Sequence, residues 1–226
     1  SDLTPEVPKA AERRTGLNMG QHQALTTAQW GITREAQDEL AAASHHNLAA
    51  AWDSGFFDDL VTPYLGLTGD QPLRPDTSVD KLAKLRPVFG DGPDASMTAG
   101  NSTPLSDGAA TVLLAEEGWA RSRNLPVLAR IVDAETAAVD YVLGNEGLLM
   151  APVHATARLL GRTGLALQDF DYYEIHEAFA ATQLQTNHVK WRFGHFGLGR
   201  LCGLVGICGG RCHPLQARFE DGHARL

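Results

Sequence analysis

Cysteine is scarce and poorly placed for crosslinking. The 226-residue chain holds three, Cys202, Cys208 and Cys212, and none before them. An odd number crowded into one short stretch excludes a disulfide framework as the organising device. Cys208, Cys212 and His213 offer soft donors, but no second Cys/His pair stands at zinc-finger spacing, so no metal ligand is assigned. Positive charge is also short: 19 basic against 27 acidic residues leave a formal net charge of −8. A general nucleic-acid binder needs a basic face, and no nucleic-acid partner is expected. A run of about 18 apolar residues, enough for a membrane-spanning helix, is absent. The N-terminus lacks a basic-then-apolar secretory pattern, so the expected compartment is the cytoplasm. What remains is a globular composition, 43% hydrophobic and 20% charged, with length for one or two domains and a buried core.

Residues 1–14 are polar, without apolar periodicity, and read as a connector. Helix formers with a one-sided apolar pattern follow from Gly20 to Trp30 and from Thr33 to Asp53, separated by Gly31. Thr33 is the N-cap candidate of the second run, with Glu35 in its first turn. Ala41, Ala42, Leu48, Ala49 and Trp52 give that run a small-residue stripe, and Gly55 ends it. Glycine and proline then recur too often between Gly66 and Pro93 for long helices; only Asp80 to Leu85 reads as a helical turn or two. Ala110 to Ala115 is predicted to be a buried strand, Glu116 to Arg123 a charged helix and Pro126 to Ala134 another strand. A helix over Val153 to Leu160, admitting Pro152 in its first turn, precedes a strand over Asp171 to Ile175 and a helix from Glu177. Strand and helix alternate, as in α/β proteins.

Two stretches carry chemical interest. Ser96 to Ala110 has glycines for close backbone approach and the hydroxyls of Ser102, Thr103 and Ser106, which suit either a polar turn or a polar ligand. Tyr172 to Ala181 places His176 and Glu177 at a strand-to-helix junction. There the pair is either a structural hydrogen-bonded couple or a group projecting into a crevice. Residues 187–226, glycine-rich between Gly194 and Gly210, show no clean period. A disordered end, a glycine-rich closing segment and a metal-binding tract all stay open.

Taken together, several stretches resemble the thiolase family of acetyl-CoA acetyltransferases and 3-ketoacyl-CoA thiolases. They are Asn18-Met19-Gly20, Gly31 to Asp38, Thr98-Ala99-Gly100-Asn101 through Asp107-Gly108-Ala109-Ala110, Pro126 to Ile131, and Glu174 to Ala180. They follow the family order over most of residues 13–186. The resemblance implies a thiolase-like α/β fold, here incomplete: a loop domain plus part of the layered α/β core. Residues 1–97 would be the region covering coenzyme A, and 98–124 a strand and helix of the N-terminal domain. Residues 125–186 would be part of the C-terminal domain, and 187–226 a divergent glycine-rich tail.

By resemblance the function is acyl-CoA C-acyl transfer in fatty-acid metabolism (β-oxidation), cleaving 3-ketoacyl-CoA or condensing two acyl-CoA units. Coenzyme A and acyl-CoA are substrates and no separate cofactor is implied; the full-length family form would be a homo-oligomer. In the family a cysteine thiolate takes the acyl group, a histidine activates it, a second cysteine moves a proton and an oxyanion hole receives enolate charge. Carried over by motif, His176 is the oxyanion-hole donor, Phe179 lines the acyl pocket, and Met19, Ser102 and Thr103 lie near the pantetheine arm. Two departures stand out. The nucleophilic cysteine of the family belongs to a preceding domain, and Cys208-Gly209-Gly210 comes before Cys212-His213-Pro214, the reverse of family order. The expectation is therefore a thiolase fragment with little or no activity alone. The alternatives are a non-catalytic module that binds acyl-CoA or a partner, and a zinc-binding tail.

Overall fold

A computed structural model describes residues 9–143, 146–192 and 201–202. Helix α1 spans Met19–Gln29. Asn18 caps it reciprocally: its side chain accepts from the Gln21 N–H at 2.9 Å, and the Gln21 side chain accepts from the Asn18 N–H at 2.9 Å. Two end-of-helix donors are thereby satisfied. Gly31 then takes φ +63°, a left-handed turn that a side chain resists, and the chain enters α2, Arg34–Asp53. Thr33 caps α2 as expected, its hydroxyl accepting from the Ala36 N–H at 3.2 Å.

After α2 the chain wanders, as the breaker density demands, through the short helix α3 (Val79–Leu82) to a hairpin of β1 (Pro87–Phe89) and β2 (Met97–Thr98). Helix α4 (Glu117–Ser122) is capped by the Glu116 carboxylate. Helix α5 (Ala151–Thr163) carries Pro152 in its first turn and ends on Gly164. Strand β3 (Tyr173–Glu174) leads to α6 (Ala180–Arg192) and pairs in parallel with β4 (Leu201–Cys202). The helix expected from Glu177 thus begins three residues later. Its predicted first turn is held extended by backbone bonds to the 101–103 loop.

Helices α1 and α2 both pack on α6, and α2 also packs on α3. Ala41 and Ala42 meet Leu82 and Val79 in an apolar cluster. Where α1 meets α6 the interior is polar instead. The Gln23 side-chain amide donates to Gln185 Oε1 at 2.8 Å, and the Thr182 hydroxyl donates to Gln23 Oε1 at 2.9 Å. Most buried polar groups are bonded in this way, although Gln185 Nε2 is left without a partner.

The strands expected at Ala110 to Ala115 and Pro126 to Ala134 do not form among the described residues. Both stretches lack regular secondary structure, apart from a single bridge position at Arg130, and are exposed, with Val112 at 77%, Leu113 at 74% and Leu128 at 70% of full accessibility. Apolar, β-branched composition favours a strand, but a strand exists only with a neighbour that takes its hydrogen bonds. No described segment supplies one there.

Candidate functional site

The two chemically interesting stretches are stitched together by backbone. The Thr103 N–H donates to the Ala178 carbonyl at 2.9 Å, and the Ala180 N–H to the Asn101 carbonyl at 3.0 Å. Ser102 and Phe179 form the antiparallel bridge between these bonds. Asn101 is fixed from behind. Its Nδ2 donates to Asp38 Oδ1 at 2.9 Å and its Oδ1 accepts from the Thr98 N–H at 2.7 Å. Asp38, at 1% exposure, is also ion-paired with Arg34 at 2.6 Å, so this buried carboxylate is compensated on both oxygens.

Beside the stitch opens a cavity of about 450 Å³, within the size range of small-molecule sites. Ser102, Thr103 and Glu177 form one wall, Leu82 and Leu85 an apolar one. A Cβ at Gly100 would lie 2.5 Å from Leu85 Cδ1 and 2.6 Å from Leu82 Cδ2, so any side chain there requires those leucine ends to shift. The Ser102 hydroxyl, on the cavity lining, is buried without a hydrogen-bond partner. A rotation of this side chain would bring the orphaned oxygen from its buried position to a ligand or water in the cavity.

The charges are arranged asymmetrically. Glu177 sits on the cavity wall, one carboxylate oxygen accepting from the Ser44 hydroxyl at 2.7 Å. Burial pushes its pKa above the ordinary carboxyl value; the Ser44 bond opposes that rise and the charge of Glu174 adds to it. His45, Arg74 and Lys81 also line the cavity. Burial, then the charges of Arg74 and His46, hold the His45 imidazole below its usual pKa. Cationic, acidic and apolar side chains thus share one cavity lining.

Of the residues singled out in the sequence, Ser102 and Thr103 are on this cavity. Phe179 is buried at 8% exposure and packs edge-on against Phe89 at 5.7 Å, without lining the cavity. Met19 is exposed in the first turn of α1, and His176 is exposed between β3 and α6; neither is on the cavity wall. Glu177 pairs with Ser44 rather than with His176. Ser44 and Asp38 escaped the sequence reading. The available signal was polar side chains on the buried face of α2, beside Ala41 and Leu48, where a soluble helix places apolar ones.

Among the described residues no group of three or more potential metal ligands is assembled, and no helix is long and apolar enough to cross a membrane. Cys208, Cys212 and His213 lie outside the described residues.

Comparison with known proteins fits this geometry. The thiolase N-terminal domain matches residues 6–118 and the thiolase C-terminal domain residues 125–213. A 3-ketoacyl-CoA thiolase of Pectobacterium atrosepticum is 40% identical over 98% of this chain and 52% of its own length. One of Yersinia pestis is 40% identical over 81% of this chain and 42% of its own. The crystal structure of the Bacillus anthracis acetyl-CoA acetyltransferase superposes with a TM-score of 0.71 at 34% identity, over 80% of this chain and 46% of that one. The dimeric peroxisomal thiolase of Saccharomyces cerevisiae gives 0.72 at 33%, over 88% and 49%. The chain spans about half the length of the relatives it matches, and over that half its fold is thiolase-like α/β.

Proposed function

The chain belongs to the thiolase family, and on that premise we propose that it supplies the coenzyme-A-holding part of a thiolase-type acyl-CoA C-acyltransferase. The observation that carries this is the stitch of Ser102 to Phe179 beside a cavity with an unpartnered serine hydroxyl. An elongated ligand with amides along its arm and phosphates at its far end suits such a site. Ser102 meets the arm, Leu82 and Leu85 its methylenes, and the rim of Arg74 and Lys81 its negative charge.

In the transfer reaction His176, with a bound water, acts as the oxyanion-hole donor at the thioester carbonyl, Phe179 backs the acyl pocket and Met19 lies toward the pantetheine arm. Residues 1–97 form the cover over coenzyme A. Residues 98–124 belong to the N-terminal domain, 125–186 to the C-terminal one, and 187–226 form the divergent tail. No cysteine occurs before Cys202, so the polypeptide alone binds coenzyme A with little or no turnover. That same absence favours a second reading, a non-catalytic acyl-CoA-binding module; acyl-enzyme formation by the isolated chain would exclude it. The complete enzyme works in the cytoplasm in fatty-acid β-oxidation as a homo-oligomer, for which the dimeric state of the yeast relative is the support.

Amide hydrogen exchange tests the binding site. Added coenzyme A slows exchange in residues 98–106 and 174–182; unchanged exchange in both segments counts against it.

A further inference from the structure

The turn that carries His176 is held at two places. Its backbone is bonded through Ala178 and Ala180 to the 101–103 loop, and its side-chain anchor is Glu177, bonded to Ser44 on α2 at 2.7 Å. Ser44 is 2% exposed, so the anchor point is deep in the helix packing and cannot shift without moving α2. Glu177, Ser44, Ser102 and Thr103 all line the cavity, whereas His176 does not. Whatever enters the cavity therefore touches the anchors of the turn before it touches the imidazole.

We infer that Glu177 is the positioning residue for His176: its bond to Ser44 fixes the 176–180 turn against α2 and transmits the state of the cavity to the imidazole. The inference rests on the functional role given to His176 above, but the coupling itself needs no substrate. A carboxylate accepting a hydroxyl proton makes a shorter, stronger bond than a neutral carboxyl does. The anchor is therefore tight when Glu177 is ionised and slack when it is protonated. Glu177's raised pKa brings that change toward the working range. The groups that act on it are Ser44 on α2 and Glu174 at the end of β3; His45, Asp70, Arg74 and Lys81 are the other titratable or charged groups on the cavity lining. Of these, His45 also titrates in the middle pH range, its pKa lowered by burial and by the charges of Arg74 and His46, and it must be separated experimentally.

The test is the imidazole NMR signal of His176, assigned by its loss in His176→Asn, followed against pH without any ligand. The expected curve carries an inflection that follows Glu177. Glu177→Gln keeps only a neutral acceptor for Ser44, so at every pH its signal stays at the position of the slack, protonated state and that inflection is lost. Glu177→Ala loses the inflection and also moves the signal. Ser44→Ala removes the anchoring bond itself, so it too loses that inflection. His45→Gln leaves it in place. A His176 titration unchanged in both Glu177→Gln and Ser44→Ala overturns the inference, as does an inflection that disappears with His45→Gln. Should Glu177→Ala not fold, Ser44→Ala and the near-isosteric Gln variant decide. Since no coenzyme enters the measurement, failure of this coupling and failure of coenzyme binding are seen separately.

Discussion

Asn101 and Asp38, at 3% and 1% exposure, are joined by a 2.9 Å hydrogen bond that ties the cavity loop to the buried face of α2. Asn101 spends its whole side chain on this task, with Nδ2 also reaching the Ser96 carbonyl and Oδ1 taking the Thr98 N–H. Asn101→Ala leaves two buried groups and the half-buried Ser96 carbonyl short of a partner and lowers unfolding free energy by about 3 kcal/mol. Asn101→Asp costs more, since it sets a second carboxylate against Asp38. Urea unfolding of the two variants, compared with wild type, checks both the loss and the ranking.

Gly100→Ala separates the cavity from the fold. The new methyl meets the mobile ends of Leu82 and Leu85 rather than backbone, so stability falls by only about 1 kcal/mol. Those leucines form the apolar wall, and their displacement weakens coenzyme A binding more than stability. Thermal melts and a binding isotherm on the same preparation give the comparison.

Two carboxyls give stability slopes of opposite sign. Partial burial acts to raise Glu12, but the N–H groups of Arg14 and Thr15 and the Tyr141 hydroxyl outweigh it and bring its pKa from 4.5 down to about 2. Between those values the unfolded chain holds more protons, so the Glu12 contribution grows as pH rises from about 2 to 4.5. Glu177 is raised above 4.5 by burial; the folded chain there holds the extra proton, and its contribution is lost as pH rises above 4.5 through the folded pKa. Glu12→Gln removes the acid-side slope and Glu177→Gln the one above it. Chemical unfolding across pH distinguishes them.

How much of this was legible in the sequence follows from the range of the forces involved. The Thr33 cap, the Gly31 break and Pro152 in the first turn of α5 act within a few residues, and the sequence located them. Ser44 and Glu177 meet across 133 positions, and no local pattern joins them. His176 was correctly placed at a strand-to-helix junction, but what its neighbour Glu177 bonds depends on how α2 packs. The segments 110–115 and 126–134 show the converse: their residues have strand character, and a ladder is a property of two segments rather than one.

Those segments also predict association. Val112, Leu113, Leu114, Leu128 and Ile131 are all more than half exposed outside regular secondary structure, and such residues, with strand character but no ladder, invite edge pairing with another chain. The isolated chain is expected to self-associate with rising concentration, and Leu114→Lys with Ile131→Lys to reduce it. Sedimentation velocity reads the change, and a monomeric wild type at high concentration would contradict it.

Calorimetric titration of coenzyme A into the wild-type chain and into Ser102→Ala tests the cavity most directly. Wild type is expected to bind, and removal of the orphaned hydroxyl to weaken binding about fivefold, the worth of one ordinary hydrogen bond, with the melting temperature unchanged. Absence of binding by the folded wild-type chain, or equal affinity in the two proteins, would contradict the assignment of this cavity to coenzyme A.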